Sequence, residues 1–480
     1  MGVIAKQSFF NLFSIGIGFL VGALNVLLLY PIYLGDKRQG LVVGLLAVSN
    51  LVQPFLSLGL QHALIKFYSS FSSTRDRDSF LYFIVLAPVL LIFVLGIVYL
   101  LAPEMLAQLI PSTLQADFPY LEFVLLIAIS TAYFELFNSW LRVHLKSIFA
   151  NFLKELWPRI LIFILIGGFA LGLYNFNQFL YYLIAGYYAR LLLIIGYSLW
   201  VYRPAFYFEL PPQVKKILRY SALIFLSGAA ASFILDIDKA MLLTFSSEQV
   251  AYYSVAVYIA AVVEAPGRAL FQIISPIVAE ALNQKNEERI LLLLKKSSAN
   301  LLLISGGCFL VINLNLTDFY QLIAPEYHAA FYVVQLVSIG KLFSMTLGCL
   351  NQIISNSEYY DYVLFFSVFS AVLAVLLNMY FIPIYGLMGA AYATLIVILV
   401  INSLKIGLIA WKMGIHPFSK DTLTIALSIA FLAIVFKGVV FPFDPICNIG
   451  IKSICIGLLY VVILWFTGPL KGLASYLKKG

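Results

Sequence analysis

The sequence predicts an all-α, polytopic membrane protein of about 14 transmembrane helices, arranged as two six-helix lobes and a C-terminal helix pair. Three observations predict it. Of 480 residues, 62% are hydrophobic and only 11% charged, whereas soluble domains carry about a quarter charged residues. Apolar stretches of about 20 residues recur along the chain, enough to cross a hydrocarbon layer of about 30 Å at 1.5 Å per residue. Lysine and arginine cluster in alternate connections, as expected when positive charge stays on the cytoplasmic side.

Taken in order, the apolar windows place the first six spans at 9–33, 41–65, 79–101, 120–141, 153–173 and 176–201. The first follows Lys6 and is too long for a signal-peptide core, with no small-x-small cleavage pattern, so it reads as a retained span. Lysine at position 6 also departs from the myristoylation pattern. A polar stretch, 202–216, separates this lobe from spans at 217–243, 250–281, 297–319, 330–355, 362–384 and 387–413. Two more follow at 423–441 and 453–466. The domain reading is therefore 1–210, 211–415 and 416–480.

An even number of spans puts both termini on one side. With the N-terminus in the cytoplasm, 22 of the 30 basic residues fall inside, and only Lys37, Arg38, Lys239, Lys437 and Lys452 fall outside. Arg190, Arg268 and Lys341 remain within spans. Reversing the orientation or dropping one middle span mixes the sets. The net charge of +8 thus reflects orientation and not a nucleic-acid surface. The longest inner connection holds Arg289 to Lys296, a short apolar run expected to lie along the inner surface. Outer connections are short, the largest being 102–119, which argues against an external catalytic domain and hence against an enzyme. The four cysteines have neither a CxxC spacing nor companion histidines and read as packing residues, with no metal site or cofactor.

The lobes look like duplicates shifted by about 210 residues. Gln39-Gly-Leu-Val-Val-Gly leads to Pro54, and Gln249-Val-Ala-Tyr-Tyr-Ser leads to Pro266, in corresponding second helices. Two such halves are a recurrent transporter plan with the substrate between them.

Intramembrane charges are costly, about 2.5–3.5 kcal/mol each, so each needs a partner or a task. Glu264 and Arg268 are four apart around Pro266, either as a structural ion pair or as cavity groups. Asp236, Asp238 and Lys239 sit toward the outer end of the seventh span, where an aspartate lines a cavity or the group caps the helix. His62 and Lys66 are four apart near an inner end, where Lys66 is also an ordinary anchor. Glu135, Asn138 and Arg142, with Lys154, Glu155 and Arg159, form either a cationic funnel at the cytoplasmic mouth or positive-inside anchors. Arg190 and Lys341 are flanked by apolar sequence and least explained by anchoring. The candidate anion-binding set is Arg268, Lys341, Arg190, Lys66, Arg142 and Arg159, and the candidate coupling acids are Glu264, Asp238, Asp236 and Glu135. Buried cations suit a pyrophosphate head group better than a neutral sugar or drug.

The stretch Asn378-Met-Tyr-Phe-Ile-Pro-Ile-Tyr-Gly386-Leu-Met-Gly389-Ala-Ala-Tyr-Ala393-Thr394 resembles the turn between helices eleven and twelve in Wzx-type polysaccharide flippases. These belong to the multidrug, oligosaccharidyl-lipid and polysaccharide exporter superfamily. In this turn proline stops one helix, Gly386 reverses the chain, and Gly389 and Ala393 allow close packing. Asp238-Lys239, followed by Gln249-Val-Ala-Tyr-Tyr253-Ser-Val-Ala256, is similar to that family's acid-base pair and eighth-helix opening. The resemblance implies an alternating-access flippase in the cell inner membrane, passing an undecaprenyl-pyrophosphate-linked oligosaccharide to the periplasmic leaflet for surface polysaccharide such as lipopolysaccharide. It further implies coupling to protons, sodium or membrane potential, and pathway partners among glycosyltransferases and a polymerase. A multidrug antiporter, a peptidoglycan-precursor flippase and a membrane-embedded polymerase are the alternatives.

Overall fold

The computed structural model describes residues 16–101, 120–207 and 209–469. Lys6, the start of the first span, the 102–119 connection and Lys471, Lys478 and Lys479 lie outside the described residues. Everything regular among the described residues is helical, and 11 helical runs are long and apolar enough to cross a membrane.

The first run is two spans. Helix α1 (16–34), whose second half Asn25–Leu34 is π-helical around Pro31, ends where Gly35 takes φ +72° and redirects the chain into α2 (Gly35–Ser57). A left-handed pair, Leu58 and Gly59, separates α2 from α3 (Leu60–Phe67). The Ser221 hydroxyl donates to the Leu58 carbonyl across 2.5 Å, satisfying a group the break leaves orphaned. Helices α4 (Thr74–Leu101) and α5 (Tyr120–Val143) follow. The fifth span is broken too. Helix α6 (Ser147–Glu155) stops at Leu156, and α7 (Trp157–Ala170) restarts with Pro158 in its first turn, where a missing N–H does no harm. Then come α8 (Phe176–Val201), opened by an Asn175–Gln178 capping box, and α9 (Val214–Leu243).

The eighth span divides at a 3₁₀ turn, Val262–Glu264, into α10 (Ser247–Ala261) and α11 (Ala265–Asn283). Pro54 and Pro266, paired in the sequence as equivalent positions, thus both stand at broken helices. Helix α12 (Glu287–Leu314) corrects an expectation: Arg289 to Lys296 does not form a segment along the surface but opens this continuous 28-residue helix, with Ile290 and Leu294 buried. After the short α13 (Leu316–Tyr320), α14 (Phe331–Met345) and α15 (Leu350–Asn356) flank a break at Gly348 (φ +57°). Helix α12 satisfies this break, as Ser298 Oγ donates to the Thr346 carbonyl and Ser297 Oγ accepts from Cys349 N–H.

Helices α16 (Asp361–Tyr385) and α17 (Leu387–Met413) make the turn expected of them. Gly386 has φ +56°, and a Cβ on Gly389 would collide with the Phe381 carbonyl, so α17 packs on α16 backbone to backbone. Helix α16 continues two residues past Pro383 before stopping. The last pair is α18 (Lys420–Val435), 16 residues long, and α19 (Pro445–Thr467). Counting α1 and α2 separately and adding α7 and α18 to the long helices brings the described spans to 14.

Two compact units divide the chain, Met1–Ala251 and Tyr252–Gly480. In the first, α2 packs on α5 and α9, and α5 on α3 and α8. Helix α9, assigned from the sequence to the second lobe, finds its packing partners α2 and α3 here. In the second, α12 is central, contacting α11, α14, α18 and α19.

Candidate functional site

Within the first unit, α2, α3, α5, α6 and α9 line an open cavity of about 500 Å³. Its polarity follows from helical spacing. On α5, Thr131, Glu135, Ser139 and Arg142 recur at intervals of three or four and form one stripe about 16 Å long. On α9, Ser227, Gly228, Ala231, Ser232 and Asp236 form the facing stripe, with small residues admitting the helix to the site. Asn50 and Gln53 come from α2, and Gln61 and His62 from the first turn of α3, beyond the left-handed break that turns them into the cavity. Lys154 reaches in from the last turn of α6. No Phe, Tyr or Trp is among the described lining residues.

The cavity has two poles. At one, Lys154 Nζ lies 2.7 Å from Glu135 Oε1, and the buried Asn138 donates to Glu135 Oε2 over 3.1 Å. Arg142 and His62 share this end; Arg142 is exposed and joins no salt bridge among the described residues. At the other, the buried Asp236 accepts from Lys239 Nζ at 2.5 Å and from Asn50 Nδ2 at 3.0 Å. Lys239 therefore turns back to Asp236 and the Leu235 carbonyl. The wall mixes hydroxyls and amides with the apolar Pro54, Ile65, Ile224 and Leu235, and it has cations at one end and a carboxylate at the other, which suits an amphiphile whose head group carries negative charge.

The remaining sequence candidates are placed differently. Arg159 is occupied by Glu155, side chain and carbonyl, and its own carbonyl accepts from Asn25 of α1 at 2.7 Å, so it ties helices together outside the cavity lining. Lys66 sits on the Tyr220 ring, 3.9 Å from the centroid. Arg190, 4% exposed, is held between the rings of Phe134 at 4.2 Å and Tyr187 at 4.7 Å, with a 3.4 Å bond to Thr131 Oγ1. Its guanidinium stands directly behind the α5 stripe, and Nε has no partner. Asp238 is half-buried on α9 and does not line the cavity.

In the second unit Glu264, at the end of the 3₁₀ turn and the start of α11, pairs with Lys341 of α14 at 2.6 Å instead of with Arg268. Arg268 is exposed. A pair the sequence did not suggest is Lys452–Asp318, 3.9 Å apart and nearly fully buried, with Asn448 Nδ2 donating to Asp318 at 3.2 Å. Lys452 is not an outer anchor: α19 starts eight residues earlier than expected and carries it inside. In sequence Lys154 figures only as part of the funnel, and His62 and the α9 serines stand outside the anion-binding set; the spacing of four that joins Ser227 to Ala231 and Gly228 to Ser232 and Asp236 was the available signal. No cluster of metal-ligating side chains occurs among the described residues, and Cys349 is buried whereas Cys447 is exposed.

The family described as "Polysaccharide biosynthesis protein" matches residues 4–282. No curated protein matches the chain in sequence. In fold the chain is similar to the lipid II flippase MurJ in an inward closed conformation, with a TM-score of 0.75 at 16% identity over 95% of this chain and 98% of that one. It is also similar to an inward-facing multidrug resistance MATE family transporter of the MOP superfamily, with a TM-score of 0.51 at 15% identity over 89% and 96%.

Proposed function

The chain belongs to the polysaccharide biosynthesis protein family, and from that premise we propose that it is a flippase carrying an undecaprenyl-pyrophosphate-linked oligosaccharide from the cytoplasmic to the periplasmic leaflet by alternating access. The observation that carries this reading is the cavity of the first unit, with the cations Lys154 and Arg142 gathered at one end. A diphosphate would engage both cations, whereas a neutral cargo would leave them without a task. The fold likeness to a lipid II flippase supports a lipid-linked cargo. With the N- and C-termini in the cytoplasm, as the basic connections imply, the cationic pole stands at the cytoplasmic mouth and Asp236 lies deeper.

On this reading the protein works in the inner membrane, in a pathway such as lipopolysaccharide synthesis, between glycosyltransferases and a polymerase. Glu135 and Asp236, the two candidate acids that line the cavity, are the groups placed to couple transport to protons, sodium or membrane potential. Loss of the gene is expected to abolish surface polysaccharide and to accumulate lipid-linked oligosaccharide, with drug sensitivity unchanged. Raised drug sensitivity without accumulation would instead identify a multidrug antiporter. Accumulation of a peptidoglycan precursor would identify that cargo.

A further inference from the structure

We propose that Glu135 is a stand-in for the cargo's phosphate: it neutralises Lys154 while the cavity is empty and yields Lys154 to the diphosphate on loading. The inference rests on the cavity being the site of an anionic head group. Three features carry it. The carboxylate is held from behind by Asn138, which is fully buried on the same helix, so it keeps a partner after Lys154 leaves. Lys154 is the more exposed member of the pair, 37% against 21%, so an entering anion reaches the lysine first. Lys154 also sits at the end of α6, next to the break at Leu156, and a flexible stem with three donors swings more readily between two anions than a guanidinium does.

The other charges facing Glu135 fit the same scheme. Arg142 on α5 and Arg190 behind the wall on α8 add positive potential, His62 on α3 adds a polar ring, and Asp236 on α9 lies at the far pole. An empty cavity with Lys154 unpaired would hold an excess of cations inside the membrane, which is unfavourable. The stand-in removes one of these cations while the carrier returns empty, and the diphosphate does so while it crosses loaded.

The role therefore separates affinity from turnover. Replacing Glu135 by an isosteric neutral group removes the competitor for Lys154 but leaves the empty site strongly cationic. Inorganic pyrophosphate binding to the purified protein is expected to tighten about two- to fivefold in Glu135→Gln, the range set by a partly exposed ion pair. The maximal flipping rate of a fluorescent polyprenyl-diphosphate monosaccharide in proteoliposomes is expected to fall several-fold. Glu135→Asp, which keeps the charge on a shorter arm, is expected to fall between the two proteins in both measurements, and Lys154→Met to lose most of the pyrophosphate affinity. Unchanged or weaker pyrophosphate binding in Glu135→Gln, or an unchanged maximal rate, overturns the stand-in. Absence of pyrophosphate binding in the parent protein, or full binding in Lys154→Met, overturns the assignment of the site itself.

Discussion

Replacing Lys452 by methionine is expected to destabilise the second unit by about 3–5 kcal/mol, because it leaves the Asp318 carboxylate buried without its counter-charge. The two groups are 3.9 Å apart, too far for a direct hydrogen bond, so their attraction is Coulombic. At an effective dielectric constant near 20, two unit charges at that separation attract by about 4 kcal/mol. Both side chains are about 95% buried, so little of this is lost to solvent screening. Asn448 contributes one hydrogen bond to Asp318 and does not replace a charge. Thermal unfolding in detergent measures the effect. At roughly 2–4 °C per kcal/mol for a body of this size, the midpoint is expected to fall by about 10 °C. The double replacement Lys452→Met with Asp318→Asn removes both charges, keeps an acceptor for Asn448, and is expected to recover all but about 1 kcal/mol. A single variant as stable as the parent, or a double variant no better than the single, would refute the claim that Lys452 is the counter-charge of the buried Asp318.

Other expected outcomes follow from the same contacts. Gly40→Val places side-chain atoms onto the Ser247 backbone, and folded protein recovered by size-exclusion chromatography should drop sharply. Arg190→Met removes a buried cation held by two aromatic rings and one weak hydrogen bond; its melting temperature should change little, because relief of the desolvation offsets the lost cation–π contacts, while pyrophosphate affinity falls with the positive potential behind the cavity. Lys66→Met should change pyrophosphate affinity less than about twofold, since that amine lies on Tyr220 and outside the cavity lining. Lys341→Met should destabilise more than Arg268→Met under the same thermal assay, because Lys341 has an ion-pair partner and Arg268 is exposed.

Helix breaks explain most of the distance between what could be read from the sequence and what the fold contains. Pro158 and Pro266 mark two of them locally, by chemistry that any sequence displays. The left-handed Leu58, by contrast, is stabilised by a hydroxyl from Ser221, 163 residues away, and the Gly348 break by serines of α12. Such breaks depend on a partner from another helix, so the apolar windows ran across them. Helical periodicity also found Glu135 and Arg142 on one stripe, because their spacing is an intrahelical property, but could not say that Lys154 rather than Arg159 turns into the same cavity.

By itself, then, the chain's composition and its alternating basic connections determined that it is a helical membrane protein of about 14 spans, because hydrocarbon thickness and backbone hydrogen bonding leave few alternatives. Only the tertiary structure decided which charges meet. Glu264 prefers Lys341 to its neighbour four residues on, Lys452 is buried against Asp318, and Lys154 closes on Glu135. Each of these pairs joins different helices. Their formation depends on how the helices pack, and the order of residues along any one helix carries no record of it.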